Sequence, residues 1–308
     1  MSDVQVQSYR YLRTAMVGLL VALGAAVFYQ AWRQGFHLLS SVSAYYYTPA
    51  QAIFVGALIG LSACMIALRG TTDFEDIVLN LGGMLAAVVA VVPTSRGADF
   101  ETAVDACQQT KTALLTPQAS NGFDCPTVQA LFAATKANVQ NNVAALLVVG
   151  FLGLVATALF AYWDARADRP RRFGALFWWG LSASFVLWAV VLIAALVSFD
   201  WFVRHAHFIA AAGLLVSIVA VAVANAVRRQ RPDIDENWGV KQALSATRDV
   251  LTRRLGLYSG LAWAMLGVAA LGIALFFANV IILFWVEVSV ALLFALFWMV
   301  QTVEVRDA

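Results

Sequence analysis

Long uncharged apolar stretches recur along the whole chain, each close to the roughly 20 residues that a helix needs to cross a bilayer. The chain has 308 residues, of which 62% are hydrophobic and 12% charged. An ordinary soluble domain carries about 25% charged residues, and a soluble fold cannot bury so much apolar surface. The sequence therefore predicts an all-α fold, a polytopic bundle of transmembrane helices.

Prolines, glycines and charged residues divide the apolar sequence into eight predicted spans. Their approximate bounds are 12–30, 49–68, 73–92, 142–162, 175–199, 205–227, 256–277 and 280–300. Residues 94–140 are predicted to form an extracytoplasmic loop subdomain, and residues 228–255 a cytoplasmic amphipathic connection. A seven-span alternative merges or loses one helix of the final hairpin, which moves the C-terminus to the other side.

The three cysteines differ in their surroundings. Cys107 and Cys125 share the polar loop, whereas Cys64 lies within an apolar span. A pair of cysteines in one loop predicts a disulfide, which persists in an oxidising compartment and so places this loop outside the cell. Cys64 is predicted to be a small buried hydrophobic residue.

The distribution of positive charge predicts the same orientation. With eight spans and a cytoplasmic N-terminus, fifteen of the twenty Lys and Arg residues fall in cytoplasmic segments. Cytoplasmic loops carry an excess of positive charge in membrane proteins. Both termini are therefore predicted to be cytoplasmic.

Local signals predict where two helices begin. Thr72, followed three residues later by Glu75, is the pattern of a capping box, and the acidic residues after Thr72 suit the first turn of a helix. Residues Asp200 to Arg204 are predicted to form a tight turn between the fifth and sixth spans.

Glu287 is the most informative ionisable residue because it lies within the last apolar span. A carboxylate in hydrocarbon costs roughly 2.5–3.5 kcal/mol on insertion scales unless it is paired, protonated or facing water. Glu287 is therefore predicted to point into the bundle. It can serve as a proton, cation or ligand site, or as a structural partner of Arg204, a histidine or a tyrosine.

Other polar residues fall at the same predicted outer end as Glu287. They are Ser43, Tyr45, Tyr46, Tyr47, Asp200, His205 and His207. With Glu287 they form the predicted ligand-binding site. The tyrosines have a second interpretation as part of an interfacial aromatic belt.

Enzymatic alternatives at this end have less support. His205 and His207 could bind zinc with His37 and Asp200, but residues two apart on a helix point in nearly opposite directions. Ser43, His205 and Asp200 could form a hydrolytic set only if the fold brought them together. No metal site is predicted.

The sequence lacks the motifs of nucleotide and dinucleotide binding and of metalloproteases. No basic run marks a nucleic-acid surface. No cofactor, nucleotide or nucleic-acid partner is predicted.

Several short motifs resemble those of a group of uncharacterised bacterial polytopic membrane proteins. They are S-V-S-A-Y-Y-Y-T at 41–48, F-V-G at 54–56, L-N-L-G-G at 79–83 and V-P-T at 92–94, together with residues 297–304 near the end. The resemblance covers about a third of the chain and implies a bacterial plasma-membrane location, with no activity attached. The Cys107 to Cys125 loop has no counterpart in this pattern.

The leading functional hypothesis is a non-enzymatic protein that binds or transports a small-molecule or lipid-like ligand through an outward-facing polar site. An accessory or scaffold subunit of a membrane complex is the second hypothesis, with other membrane subunits as partners. A membrane-embedded hydrolase or metalloenzyme is the third.

Overall fold

The computed structural model describes residues 3–70, 72–94, 104–110, 125, 127–166, 175–230, 256–278 and 283–304. These residues are helical with short connections and contain no strand. The helices are α1 (Asp3–Arg33), α2 (Gln51–Ala67), α3 (Asp73–Val91), α4 (Val128–Arg166), α5 (Ala175–Val197), α6 (Phe199–Gln230), α7 (Leu257–Phe277) and α8 (Leu283–Glu304), and a 3-10 helix (Ser43–Tyr47) precedes α2. The prediction of an all-α bundle is confirmed.

Seven of these helices are long and apolar enough to cross a membrane. The remaining one, α2, is apolar but has 17 residues, a length of about 25 Å at 1.5 Å per residue. The chain is thus an integral membrane protein with several spans, and the count of eight stays a prediction.

Helix α3 occupies the centre of the bundle, in contact with α2, α4, α5 and α6. Helix α1 packs on α2 and α8, while α7 packs between α6 and α8. By contrast, almost none of the residues in the spans of α4 and α5 are buried. These two helices therefore present most of their apolar surface outward, as lipid-facing helices do.

Glycines allow the central helices to approach one another closely. A Cβ atom added to Gly82 on α3 would lie 2.8 Å from Cε of Met65 on α2 and 2.9 Å from Cβ of Ser217 on α6. One added to Gly213 on α6 would lie 2.8 Å from Cδ1 of Leu85. Small residues at such crossings bring backbones together where apolar lipid gives no hydrophobic driving force.

The predicted start of α3 is confirmed. The hydroxyl oxygen of Thr72, the N-cap residue, accepts the backbone N–H of Glu75 at 3.2 Å. The acidic residues Asp73, Glu75 and Asp76 lie in the first turn, as the helix dipole favours. Asp76 also interacts with Arg69 at 3.7 Å and accepts the backbone N–H of Gly70.

Two predicted boundaries differ from the structure. The tight turn over Asp200 to Arg204 was wrong, because α6 already begins at Phe199 and includes these residues in its first turns. Helix α4 begins at Val128, inside the predicted loop subdomain, since the apolar and small residues that follow Val128 continue the helical pattern. The connection 231–255 lies outside the described residues.

The predicted disulfide is confirmed, with the Cα atoms of Cys107 and Cys125 6.0 Å apart. The described part of their loop is a helical segment over residues 104–110 and Cys125 itself. Cys64 is a free thiol within α2 and is half-buried rather than buried as predicted.

Candidate functional site

The segment between α1 and α2 folds back against the beginning of α8. Gly35 and Phe36 both have positive φ, at 70° and 62°, and reverse the chain directly after α1. The carbonyl of Ser40 then accepts the backbone N–H of Phe284 at 3.0 Å. This contact places the following residues beside the first turns of α8.

Glu287 receives hydrogen bonds from this folded-back segment. Its Oε2 accepts the backbone N–H of Val42 at 2.5 Å, and its Oε1 accepts the hydroxyl of Ser43 at 3.3 Å. The backbone N–H of Ser43 also donates to the carboxylate. Glu287 thus points into the bundle, as predicted.

Ser43 also contacts His207 on α6. Nε2 of His207 lies 2.9 Å from the hydroxyl oxygen of Ser43, and Nδ1 lies 2.6 Å from the carbonyl oxygen of Val92 at the end of α3. These hydrogen-bonded groups are named the relay: Glu287, Ser43, His207 and the Val92 carbonyl. Ser43 and His207 are both only 6% exposed and Glu287 is half-buried, so the relay is largely shielded from solvent.

The hydrogen-bonding capacity of these groups limits where protons can lie in the relay. A carbonyl oxygen only accepts, so Nδ1 of His207 carries a hydrogen. The two remaining hydrogen bonds need two hydrogens, of which the Ser43 hydroxyl supplies one. The other lies on Glu287 as a carboxylic acid or on Nε2 of His207 as an imidazolium. These two states have equal net charge and differ by one proton passed through Ser43.

The three tyrosines beside Ser43 pack against the protein itself. Tyr45 and Tyr46 are buried, and their rings pack against Phe284 and Phe54 at 6.2 and 6.3 Å between centroids. The hydroxyl of Tyr47 donates to the carbonyl of Thr94 at 2.7 Å. The aromatic-belt interpretation is therefore wrong for Tyr45 and Tyr46, because the 3-10 helix carries both rings into the core.

Asp200 and His205 lie outside the relay. Asp200 forms an ion pair with Lys136 on α4 at 2.5 Å, and its side chain is 57% exposed. His205 is exposed, its ring stacks on Trp201 at 4.8 Å, and its Nδ1 lies 2.8 Å from the Trp201 carbonyl. Because α6 is helical here, His205 and His207 point in different directions.

This geometry bears on the enzymatic alternatives. Among the described residues, no three His, Cys, Asp or Glu side chains lie close enough together to hold a metal ion. Ser43 contacts His207 rather than His205. In a catalytic triad the carboxylate orients the histidine, whereas here the Val92 carbonyl does so and Glu287 contacts the serine. A carboxylate beside the nucleophile would oppose the negative charge that develops during acyl transfer.

A second buried polar cluster lies at the opposite end of the same helices. Nδ2 of Asn225 on α6 donates to Oε1 of Glu75 on α3 at 2.8 Å, and Nε2 of Gln301 on α8 donates to Oδ1 of Asn225 at 2.6 Å. Nη1 of Arg13 on α1 donates to the Gln301 carbonyl at 3.4 Å. We call Arg13, Glu75, Asn225 and Gln301 the amide network.

Sequence analysis missed the amide network. Arg13 is one of the fifteen Lys and Arg residues predicted to lie in cytoplasmic segments; it is 7% exposed, and its guanidinium lies 5.7 Å from the centroid of the Trp298 ring. A signal was present, because His207 and Asn225 are eighteen residues apart, which is five turns of an α-helix. Both side chains therefore lie on the same face of α6, along with the buried residues between them.

Comparison of the chain with protein-family models, with curated proteins and with solved structures finds no match.

Proposed function

We propose that this chain binds and transports a small cation across the membrane in exchange for a proton, with the relay as the site of exchange. The observation that carries the proposal is the hydrogen-bonded connection from Glu287 through the Ser43 hydroxyl to Nε2 of His207, along which one proton can be shared. A buried carboxylate needs a compensating positive charge. A bound cation can supply that charge in place of the shared proton.

The exchange conserves charge at the site. When a monovalent cation binds to the Glu287 carboxylate, the shared proton leaves and His207 becomes neutral. The Ser43 hydroxyl can then donate to Nε2 of His207 or to Glu287. The net charge is the same before and after exchange, so neither state leaves an uncompensated charge in the apolar interior.

The class of ligand follows from the chemical groups that the relay offers. A carboxylate, a serine hydroxyl and a histidine offer oxygen and nitrogen acceptors. These groups suit an inorganic monovalent cation or a small organic amine, since a carboxylate attracts positive charge and all three groups can accept N–H donors. The relay supplies no group specific for a larger polar ligand.

The proposal also includes the orientation of the chain. The relay faces the extracytoplasmic side of a bacterial plasma membrane, and both termini are cytoplasmic. The positive-inside pattern supports this orientation, as does the Cys107–Cys125 disulfide, which forms in an oxidising compartment. Impermeant labelling of cysteines introduced near either terminus in intact cells tests it, and labelling from outside would contradict it.

The exchange itself can be tested in proteoliposomes that contain a pH-sensitive dye. Gradients of Na⁺, K⁺ and methylammonium are imposed in turn, and proton movement in the opposite direction is expected for at least one of them. Glu287→Gln is expected to abolish that movement, because glutamine keeps the shape of the side chain without its titratable charge. Asp200→Asn removes a carboxylate outside the relay and is expected to leave the movement intact. Proton movement that is absent with all three cations, or unchanged in Glu287→Gln, would contradict the proposal.

An accessory subunit is the second candidate, and one observation favours it. The spans of α4 and α5 are almost entirely unburied, which leaves a wide apolar surface for another membrane subunit. Lipid covers such a surface equally well. Native mass spectrometry of the protein released from its own membrane decides between them, since a stoichiometric second chain would support a subunit and lipid alone would not.

A further inference from the structure

The relay and the amide network lie at opposite ends of the same three helices, α3, α6 and α8. Helix α6 carries His207 in the relay and Asn225 in the amide network, about 27 Å apart along the helix. Helix α8 carries Glu287 and Gln301, about 21 Å apart. These separations approach the roughly 30 Å thickness of the hydrocarbon core. The two polar clusters are therefore far enough apart to lie toward opposite membrane surfaces.

Helix α3 completes both clusters. Glu75 at its beginning accepts from Asn225, and the carbonyl of Val92, directly after its end, contacts His207. Between the two clusters, α3 buries both small and larger apolar residues against its neighbours. They are Gly82, Gly83, Ala86, Ala87 and Ala90, together with Leu79, Val88, Val89 and Val91. Small residues at a helix crossing let the two backbones approach closely.

We propose that the amide network is a second gate, which closes the cation route at the membrane surface opposite the relay. The proposal rests on the exchange function proposed for the relay and gives it the second gate that alternating access requires. Opening this end separates α3, α6 and α8 around Asn225. Opening the other end separates the same helices around His207.

The chemistry of the amide network suits a gate that opens reversibly. Asn225 joins Glu75 to Gln301 through its side-chain amide, which donates to the Glu75 side chain and accepts from the Gln301 amide. Among the described residues, Nε of Arg13 and Oε1 of Gln301 are buried without a hydrogen-bond partner. Both side chains are more than nine-tenths buried. A buried polar atom without a partner weakens the closed state, because water or a cation can satisfy it when the gate opens.

The charges in the amide network also indicate which class of ligand the gate can pass. The Glu75 carboxylate attracts the Arg13 guanidinium, which helps to offset the burial of both charges. A cation that reaches Glu75 from the relay competes with Arg13 for the same carboxylate. The gate is therefore suited to a cation, the ligand class proposed for the relay.

Two buried alanines on α6 can report which end is open. Ala222 lies three residues before Asn225 and is fully buried, and Ala210 lies three residues after His207 and is 3% exposed. Each is replaced by cysteine in a separate chain that also carries Cys64→Ala and retains the disulfide. A membrane-impermeant methanethiosulfonate reagent is then added to each side of sealed vesicles in turn.

The gate predicts reciprocal labelling. Asn225→Ala is expected to raise labelling of Ala222→Cys about tenfold from the side that carries the N-terminus, the shift that corresponds to losing one or two hydrogen bonds from the closed state. It is expected to lower labelling of Ala210→Cys from the other side. Ser43→Ala is expected to have the opposite effect on the two cysteines. Glu75→Gln, which keeps the side-chain size, provides a second test if Asn225→Ala does not fold.

Ser217→Ala is the matched control. Ser217 is a buried polar residue on α6 between the clusters, and its hydroxyl donates to the Gly213 carbonyl of the same helix at 3.0 Å. Equal labelling of both cysteines in Asn225→Ala, the same change in Ser217→Ala, or no change in a folded variant would overturn the gate.

The labelling uses neither a cation gradient nor a pH dye, so it separates the two proposals. Reciprocal labelling with no proton movement in liposomes would leave the gate standing and remove the exchange function. Proton movement without reciprocal labelling would leave the exchange function standing and remove the gate.

Discussion

The carboxylate of Glu287 accepts the backbone N–H of Val42 at 2.5 Å, and this contact ties the segment before α2 to the last helix of the chain. The two residues are 245 positions apart in the sequence. A buried side chain far along the chain therefore determines where Ser43 lies. The contact holds the serine hydroxyl between Glu287 and His207.

Loss of this anchor should destabilise the protein. Glu287→Ala leaves the N–H groups of Val42 and Ser43 without their acceptor, and a buried donor left unsatisfied costs about 1–3 kcal/mol. Glu287→Gln keeps an acceptor oxygen and should cost less. Thermal unfolding in detergent micelles measures both variants. Equal unfolding temperatures for Glu287→Ala and wild type would show that the anchor contributes nothing to stability.

Ser43 and Ser41 provide a matched pair for testing the relay. Both are buried serines of the same segment, but the Ser41 hydroxyl oxygen accepts the backbone N–H of Ala44 at 3.0 Å, whereas Ser43 joins Glu287 to His207. Ser43→Ala is expected to slow cation-driven proton movement at least tenfold, because it removes the group that passes the proton. Ser41→Ala should lower stability by about 1 kcal/mol through loss of this hydrogen bond and leave the movement unchanged. Similar proton movement in the two variants would contradict the relay.

Two glycines allow a test of close helix packing. Gly82→Ala places a Cβ atom 2.8 Å from Met65 and is expected to destabilise the protein by about 1–3 kcal/mol through overpacking. Gly56→Ala meets nothing within 4 Å and should be neutral or stabilising by up to about 1 kcal/mol, since alanine favours a helix. Thermal unfolding of both variants measures the difference, and similar values would mean that the crossing at Gly82 is looser than described.

The ion pair between Asp200 and Lys136 is expected to contribute little. Their side chains are 57% and 39% exposed, and exposed pairs typically contribute about 0.2–1 kcal/mol. A double-mutant cycle with Asp200→Asn and Lys136→Gln measures the coupling free energy, which should fall further in high salt. A value well above this range would place the pair in a less polar setting than its exposure indicates.

The residues of the site that could be identified from the sequence were identified through the predicted membrane topology. Glu287 stood out because a carboxylate within an apolar span needs a partner, and the predicted sidedness placed Ser43 and His207 at the same end. The same argument also included Asp200 and His205, which lie outside the relay. Sidedness gives depth along the membrane normal, but it does not tell which face of a helix meets the core. The pairing of His207 rather than His205 with Ser43 needed the packing of α6 on α3.

The amide network shows the other limit of sequence analysis. Asn225 and Gln301 are uncharged and isolated within apolar spans, so neither attracts notice alone. Arg13 lies near the N-terminus at the edge of the first apolar stretch, where it resembles a positive charge that flanks a span. The only sequence signal is the spacing of His207 and Asn225, which puts both on one face of α6. That spacing shows that the two clusters share a face only when the positions of α3 and α8 beside α6 are known.

The most direct test of the account counts the protons released when a cation binds. Purified protein in weakly buffered detergent solution is titrated with the cation that moves protons in liposomes, and proton release is followed with a pH dye. Wild type is expected to release about one proton per chain at saturation, Asp200→Asn the same number, and Glu287→Gln none. Release of the same number of protons from Glu287→Gln, or none from wild type, would contradict the exchange of a proton for a cation at Glu287.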